Sequence, residues 1–136
     1  MKKLFLILVF SGLFITNSFA DNDEASDYCR IEGTANDYVE ATAYVEADNG
    51  KINGYVIISN SSSKPLMSYR LVVTAERVRT YYHGELTWET GTMFDSTCHV
   101  RCEPYSNTRV DLSTLNTFGG YVRGVTVSIG NPTCAK

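Results

Sequence analysis

The chain has 136 residues, of which 43% are hydrophobic and 20% charged, and a formal net charge of −3. Residues 1–20 hold two of the 12 basic residues and none of the 15 acidic ones, which leaves residues 21–136 with a formal charge of −5. That length provides one hydrophobic core but not two, so a single domain is expected. The acidic balance repels polyanions at long range and therefore excludes nucleic acid as a main partner.

The N-terminus has the layout of a cleavable secretory signal. Two lysines follow Met1, an apolar run begins at Leu4, and Ser18-Phe19-Ala20 has the small-x-small form that signal peptidase cleaves. The alternative is an uncleaved anchor, but the apolar run is interrupted and shorter than the ~20 residues that a spanning helix needs. We therefore predict a signal peptide over residues 1–20 of a bacterial protein that is periplasmic or secreted and has no membrane span.

After an acidic leader over residues 21–27, which we expect to be flexible, the chain reads as a succession of strands. In residues 38–46 apolar side chains occupy every second position, which is the period of a half-buried strand. Asn49-Gly50 tolerates the positive φ that a hairpin turn demands. Residues 66–78 are the longest strand candidate, and their alternation predicts that Met67 points inward.

Residues 28–136 contain about seven strand candidates, with turn signals every ~8–12 residues and no helical pattern. This arrangement predicts one all-β domain with the architecture of an immunoglobulin-like antiparallel β-sandwich. A small β-barrel is the alternative, because closure of a single sheet also suits short strands of this kind.

All four cysteines lie beyond the signal segment, at Cys29, Cys98, Cys102 and Cys134. An even number in an exported chain indicates two disulfides, and four cysteines allow three pairings. We favour Cys98–Cys102, which are close in sequence, together with Cys29–Cys134, whose long loop would restrict the unfolded chain most.

The segment from Cys98 to Cys102, which contains His99, admits a zinc site or a redox site as alternatives to a structural disulfide. A structural zinc site needs four ligands at recurring spacings. A thioredoxin-type motif needs two residues between its cysteines and a surrounding βαβ unit. The segment meets neither requirement, so we predict no metal and no cofactor.

No set of residues indicates catalysis. The sequence contains no Gly-x-Ser-x-Gly elbow and no glycine-rich phosphate loop. Glu85 and Glu89 are four positions apart on a predicted strand, which separates them by ~13 Å, wider than either geometry of glycoside hydrolysis. We therefore predict that the protein is not an enzyme.

Aromatic and arginine side chains supply the candidates for a binding surface. Tyr44 falls on the polar face of its strand and Trp88 is the single tryptophan, and such side chains give large contact areas at low entropic cost. Arg77 and Arg79 place two guanidiniums on one strand face, where they would suit a carboxylate. The competing interpretations are core filling by the aromatics and cross-strand pairing of the arginines with glutamates.

Both ends of the predicted domain resemble a known family. The first end has Cys29-Arg30-Ile31, an alternating strand and Gly54-Tyr55-Val56, and the second has Arg109–Leu112, Gly119–Val127 and Cys134. This outline resembles the periplasmic curli-assembly proteins of the CsgH and CsgC type. The resemblance implies a small sandwich that keeps the amyloid subunit of curli fibres from polymerising before export. Proteins of the CsgH type have cysteines near both ends of the domain, which agrees with the Cys29–Cys134 pairing. Residues 76–107 depart from the family pattern.

We predict that the chain is an exported, non-enzymatic binding protein that acts as a periplasmic chaperone on an amyloid-prone or secreted protein subunit. Such a role requires a sheet face or strand edge that engages an extended segment and blocks strand addition. The alternatives are a secreted surface or fimbrial protein with an adhesive or structural role, and an inhibitor or immunity protein that binds a hydrolase. Each of them has a protein partner, and the sequence does not indicate the oligomeric state.

Overall fold

The computed structural model describes residues 20–31 and 37–135, and only the backbone of Tyr81 and Tyr82. The strands are β1 (Asn22–Arg30), β2 (Tyr38–Asp48), β3 (Lys51–Asn60), β4 (Leu66–Tyr82), β5 (Glu85–Cys98), β6 (Ser106–Asp111), β7 (Leu115–Asn116) and β8 (Val122–Cys134). The predicted signal peptide lies outside these residues except for Ala20. In the described part of the chain we find no helix with the length and apolar character needed to cross a membrane.

The strands form two antiparallel sheets. In the first sheet the strand order is β1-β2-β3-β6, and the two-residue β7 also pairs with β3. In the second sheet the order is β5-β4-β8. The two sheets are not closed into a barrel. The predicted antiparallel β-sandwich is therefore confirmed, and the barrel alternative is wrong.

Side chains from both sheets fill the space between them. In β2 every second residue from Val39 to Val45 is buried, as the alternation of this segment predicts. The inward position expected for Met67 is wrong, because Met67 is 37% exposed and Leu66 is fully buried in its place. The register of β4 against β8 shifts between Leu66 and Ser68, so the alternation that holds further along β4 does not extend to its first residues.

The segment predicted as a flexible leader, residues 21–27, forms most of β1, so that prediction is wrong. β1 pairs with β2 along its whole length. Its half-buried Asp23 and Asp27 accept hydrogen bonds through Oδ2 from the backbone N–H groups of Val125 (3.3 Å) and Ile129 (3.0 Å) in β8. The two carboxylates thus join the edges of the two sheets. Because they occupy inward positions, β1 lacks the apolar alternation by which a strand is recognised.

Asn60 at the end of β3 is the centre of a buried polar network and is only 1% exposed. Its Nδ2 donates to the backbone carbonyls of Lys64 (2.8 Å), Cys102 (3.1 Å) and Glu103 (3.3 Å). Its Oδ1 accepts hydrogen bonds from the backbone N–H (3.0 Å) and the hydroxyl (2.9 Å) of Ser62. One side chain therefore fastens the β3–β4 loop to the segment that follows β5.

Tyr69 in β4 is fully buried, and its hydroxyl has no hydrogen-bond partner in the described part of the chain. Burial raises the pKa of this phenol well above its ordinary value of 10.0, and the nearby thiols of Cys98 and Cys102 raise it further. A buried hydroxyl without a partner carries a desolvation penalty that the fold must offset.

We expect Tyr69→Phe to stabilise the fold at neutral pH by about 1 kcal/mol, because it removes a buried hydroxyl that has no partner. Since the folded pKa is raised, the unfolded chain loses its proton first, and the stability present below pH 10 is lost as the pH rises above it. The phenylalanine variant should therefore lose less stability than the wild type above pH 10. Urea unfolding at neutral and alkaline pH measures both effects, and a variant less stable than the wild type at neutral pH would contradict them.

Candidate functional site

Four tyrosines, which we call the tyrosine face, lie on the outer side of the first sheet. Tyr28 in β1 is 60% exposed, Tyr38 and Tyr44 in β2 are 39% and 37% exposed, and Tyr55 in β3 is half-buried. The rings of Tyr28 and Tyr38 meet edge to face, with their centroids 6.1 Å apart and an interplanar angle of 76°. Tyr44 is thus on the solvent side, as its place in the alternation of β2 predicts.

The centre of the tyrosine face is a cation–π stack across neighbouring strands. The rings of Tyr44 and Tyr55 are cross-strand partners and stack with their centroids 5.2 Å apart and an interplanar angle of 28°. Cζ of Arg109 in β6 lies 4.0 Å from the centroid of Tyr55. Arg109 Nε also donates to Oδ1 of Asp111 at 2.8 Å, which holds the guanidinium in place. Because β2 and β6 flank β3 on opposite sides, Tyr44 and Arg109 approach the Tyr55 ring from opposite sides.

Beside this stack the first sheet has a groove of about 750 Å³, lined by residues of β1, β2, β3 and β6. Glu24 and Glu46 line it, are exposed, and form no ion pair with any described residue. Arg109, which also lines the groove, has its charge balanced by Asp111. The groove therefore combines an aromatic wall with an excess of negative charge.

Trp88 lies in β5 of the second sheet, away from the tyrosine face. Cζ of Arg123 lies 4.0 Å from the centroid of the indole ring, and Arg123 Nε donates to Oε1 of Glu76 at 3.2 Å. The indole is half-buried beneath a guanidinium that a carboxylate holds in place. Trp88 thus has a structural contact of its own and does not extend the surface around Tyr44.

Arg77 and Arg79 both pair with the carboxylate of Glu89 across the β4–β5 ladder, at 3.5 Å and 2.9 Å. Arg77 also donates to the carbonyl of Asn116 at 2.9 Å. Both guanidiniums therefore pair with a glutamate across the strands, which was the alternative to a free carboxylate-binding surface. These arginines belong to the second sheet, as Trp88 does, so the structure does not bring the predicted binding residues together with Tyr44 on one surface.

The four cysteines are free thiols, and no two of their sulfurs lie at disulfide distance. The predicted pairs Cys98–Cys102 and Cys29–Cys134 are therefore not formed in this structure. For the first pair the reason is the strand register, because Cys98 lies opposite Tyr69 and Cys102 opposite Leu66. Three residues along a strand span about 10 Å, whereas the Cα atoms of a disulfide are at most ~7 Å apart.

Burial favours the protonated form of three of the four thiols. Burial is the largest cause of a raised pKa at Cys29, Cys98 and Cys134, so these thiols stay protonated near neutral pH. A protonated thiol is a poor nucleophile and a poor metal ligand. Over residues 20–31 and 37–135, no group of three or more histidine, cysteine, aspartate or glutamate side chains is placed to hold a metal ion.

Tyr44 was predicted from the sequence as a candidate binding residue, but its neighbours Glu24, Tyr55 and Arg109 were not. One signal for Tyr55 was available, because a two-residue turn at Asn49-Gly50 fixes the hairpin register and sets Tyr44 opposite Tyr55. Glu24 and Arg109 reach the site through strand pairs that no tight turn fixes. Their place beside the stack could not be predicted from local sequence.

No protein-family model matches this chain, and no curated protein matches its sequence. The functional interpretation therefore depends on the geometry of the tyrosine face and on the pattern of the sequence.

Proposed function

We propose that this protein is an exported, non-enzymatic binding protein that restrains the polymerisation of an amyloid-prone subunit, in the manner of the curli-assembly proteins that its sequence resembles. The observation that carries the proposal is the tyrosine face. Exposed tyrosines on a rigid sheet offer a large contact area at low entropic cost, which is typical of the centres of protein–protein interfaces. Their position on adjacent strands gives the partner a continuous surface along which an extended segment can lie.

The sheet face is a better candidate for this contact than the β1 edge of the same sheet. Extended segments are commonly bound by strand addition at an open edge. The approach to the β1 edge is restricted, because β8 packs beside β1 and its backbone N–H groups donate to the side chains of Asp23 and Asp27. The outer face, by contrast, keeps Tyr28, Tyr38 and Tyr44 exposed to solvent. A partner segment held on this face would have the side chains of one of its own faces covered, so that face could not interdigitate with a second sheet as amyloid requires.

The test is fibre formation by the amyloid subunit of curli fibres, followed by an amyloid-binding dye. One molecule of the protein for every ten subunits should lengthen the lag time by about twofold or more, because blocking strand addition acts on the earliest assemblies. Bovine serum albumin at the same concentration controls for non-specific adsorption. An unchanged lag time at equal concentrations of protein and subunit would contradict the proposed function.

A further inference from the structure

The cation–π stack of the tyrosine face has two different ends. At the β6 end, Cζ of Arg109 lies over the Tyr55 ring, 4.0 Å from its centroid, and Arg109 is itself paired with Asp111. At the other end is the Tyr44 ring, which is 37% exposed. Across the strands, the residue opposite Tyr44 on its β1 side is Glu24. The stack therefore begins with a guanidinium at one end and finishes at an exposed aromatic ring with a carboxylate as its neighbour.

The charge around the exposed end favours a cationic ligand. Glu24 and Glu46 line the groove beside Tyr44, and neither forms an ion pair with another residue that the structure describes. The guanidinium of Arg109 does not balance them, because Asp111 occupies it. An aromatic ring also attracts cations to its face. The ring and the carboxylates thus favour the same ligand charge.

We infer that the partner supplies an arginine side chain, whose guanidinium stacks on the exposed face of Tyr44 and pairs with the carboxylate of Glu24. The stack would then run from Arg109 through Tyr55 and Tyr44 to an arginine of the partner. A planar guanidinium fits this position better than a lysine ammonium, because it can stack on a ring and donate two hydrogen bonds to a carboxylate. The inference rests on the proposed function, since it specifies the chemistry of that partner.

The probe is a blocked five-residue peptide with a central arginine between valines, titrated into the protein without its predicted signal peptide (residues 21–136) and followed by NMR. A second peptide with citrulline in place of arginine keeps the planar shape and removes the charge. The arginine peptide should bind at least about fivefold more tightly, because stacking and ion pairing both depend on the charge. The largest chemical-shift changes caused by the arginine peptide should occur at Glu24 and Tyr44. Equal affinities for the two peptides would overturn the inference.

Two matched variants locate the site. Glu24→Gln should weaken binding of the arginine peptide by about threefold to tenfold, because it removes the carboxylate that pairs with the guanidinium. Glu40→Gln makes the same change in charge on the same sheet face but outside the groove, so it should leave the affinity unchanged. Amide NMR spectra that match the spectrum of the wild type would show that both variants are folded. If both variants weakened binding of the arginine peptide equally, the effect would come from long-range charge alone, and this result would overturn the proposed site.

The outcomes separate this inference from the proposed function. If the arginine peptide binds at Tyr44 and Glu24 while the curli subunit polymerises at its normal rate, the site is supported and the chaperone function fails. If the lag time lengthens while the arginine and citrulline peptides bind equally, the chaperone function is supported and the arginine contact fails.

Discussion

Asn60→Asp should destabilise the fold by about 3–5 kcal/mol, because it removes the donor of a buried network and leaves an uncompensated charge. In the wild type, Nδ2 of Asn60 donates to the carbonyls of Lys64, Cys102 and Glu103. A carboxylate cannot donate to any of them, and its negative charge would face three carbonyl oxygens at a position only 1% exposed. The β3–β4 loop and the segment after β5 should then separate.

Urea unfolding followed by Trp88 fluorescence measures this loss, and Asn107→Asp is the matched control. Asn107 lies in β6, where it pairs with Ser59, and is exposed to solvent. The same chemical change at this surface position should alter the free energy of unfolding by no more than about 0.5 kcal/mol. Similar losses of unfolding free energy in the two variants would show that the hydrogen bonds of Asn60 do not stabilise the fold as proposed.

Asp23→Ala combined with Asp27→Ala should lower the free energy of unfolding by about 3–6 kcal/mol, because each of the two charge-assisted hydrogen bonds contributes about 1.5–3 kcal/mol. The double variant leaves the N–H groups of Val125 and Ile129 without their acceptors and removes the polar contacts between the two sheet edges. Hydrogen exchange should therefore become faster at these two amides in addition to the general loss of stability.

Glu24→Ala is the control for this pair of substitutions, because Glu24 lies on the same strand but points outward. It removes one carboxylate without removing a hydrogen bond to β8, so its stability should stay within about 0.5 kcal/mol of the wild type. Amides of Val125 and Ile129 that exchange in the double variant as slowly as in the wild type would contradict the contact between β1 and β8.

The fold class could be predicted because local sequence patterns indicate the strands and the turn at the centre of the first sheet. The apolar alternation of β2 is obeyed, and Asn49 and Gly50 adopt the positive φ values, 50° and 76°, that the turn signal predicts. The same reasoning failed where inward positions hold carboxylates, as in β1, and where a register shift moves Met67 to the surface. In both segments a contact with β8, distant in sequence, decides which side of the strand is buried.

The candidate site could be predicted only in part for the same reason. The exposure of Tyr44 follows from alternation within one strand, and the position of Tyr55 follows from the turn that joins β2 to β3. Arg109 is more than 50 residues from Tyr55 in sequence, and only the β3–β6 pairing brings them together. The cysteine pairing failed similarly, because proximity along the chain does not reveal that Cys98 and Cys102 face different positions of β4.

The most direct test of the tyrosine face is a double variant, Tyr44→Ser with Tyr55→Ser, in the curli-subunit polymerisation assay. Tyr105→Ser is its matched control, because Tyr105 is 72% exposed but lies outside this face. Circular dichroism establishes first that both variants keep the β-sandwich. We predict that the double variant no longer lengthens the lag time, whereas the control acts like the wild type. A folded double variant that delays polymerisation as strongly as the wild type would contradict the assignment of this face as the binding surface.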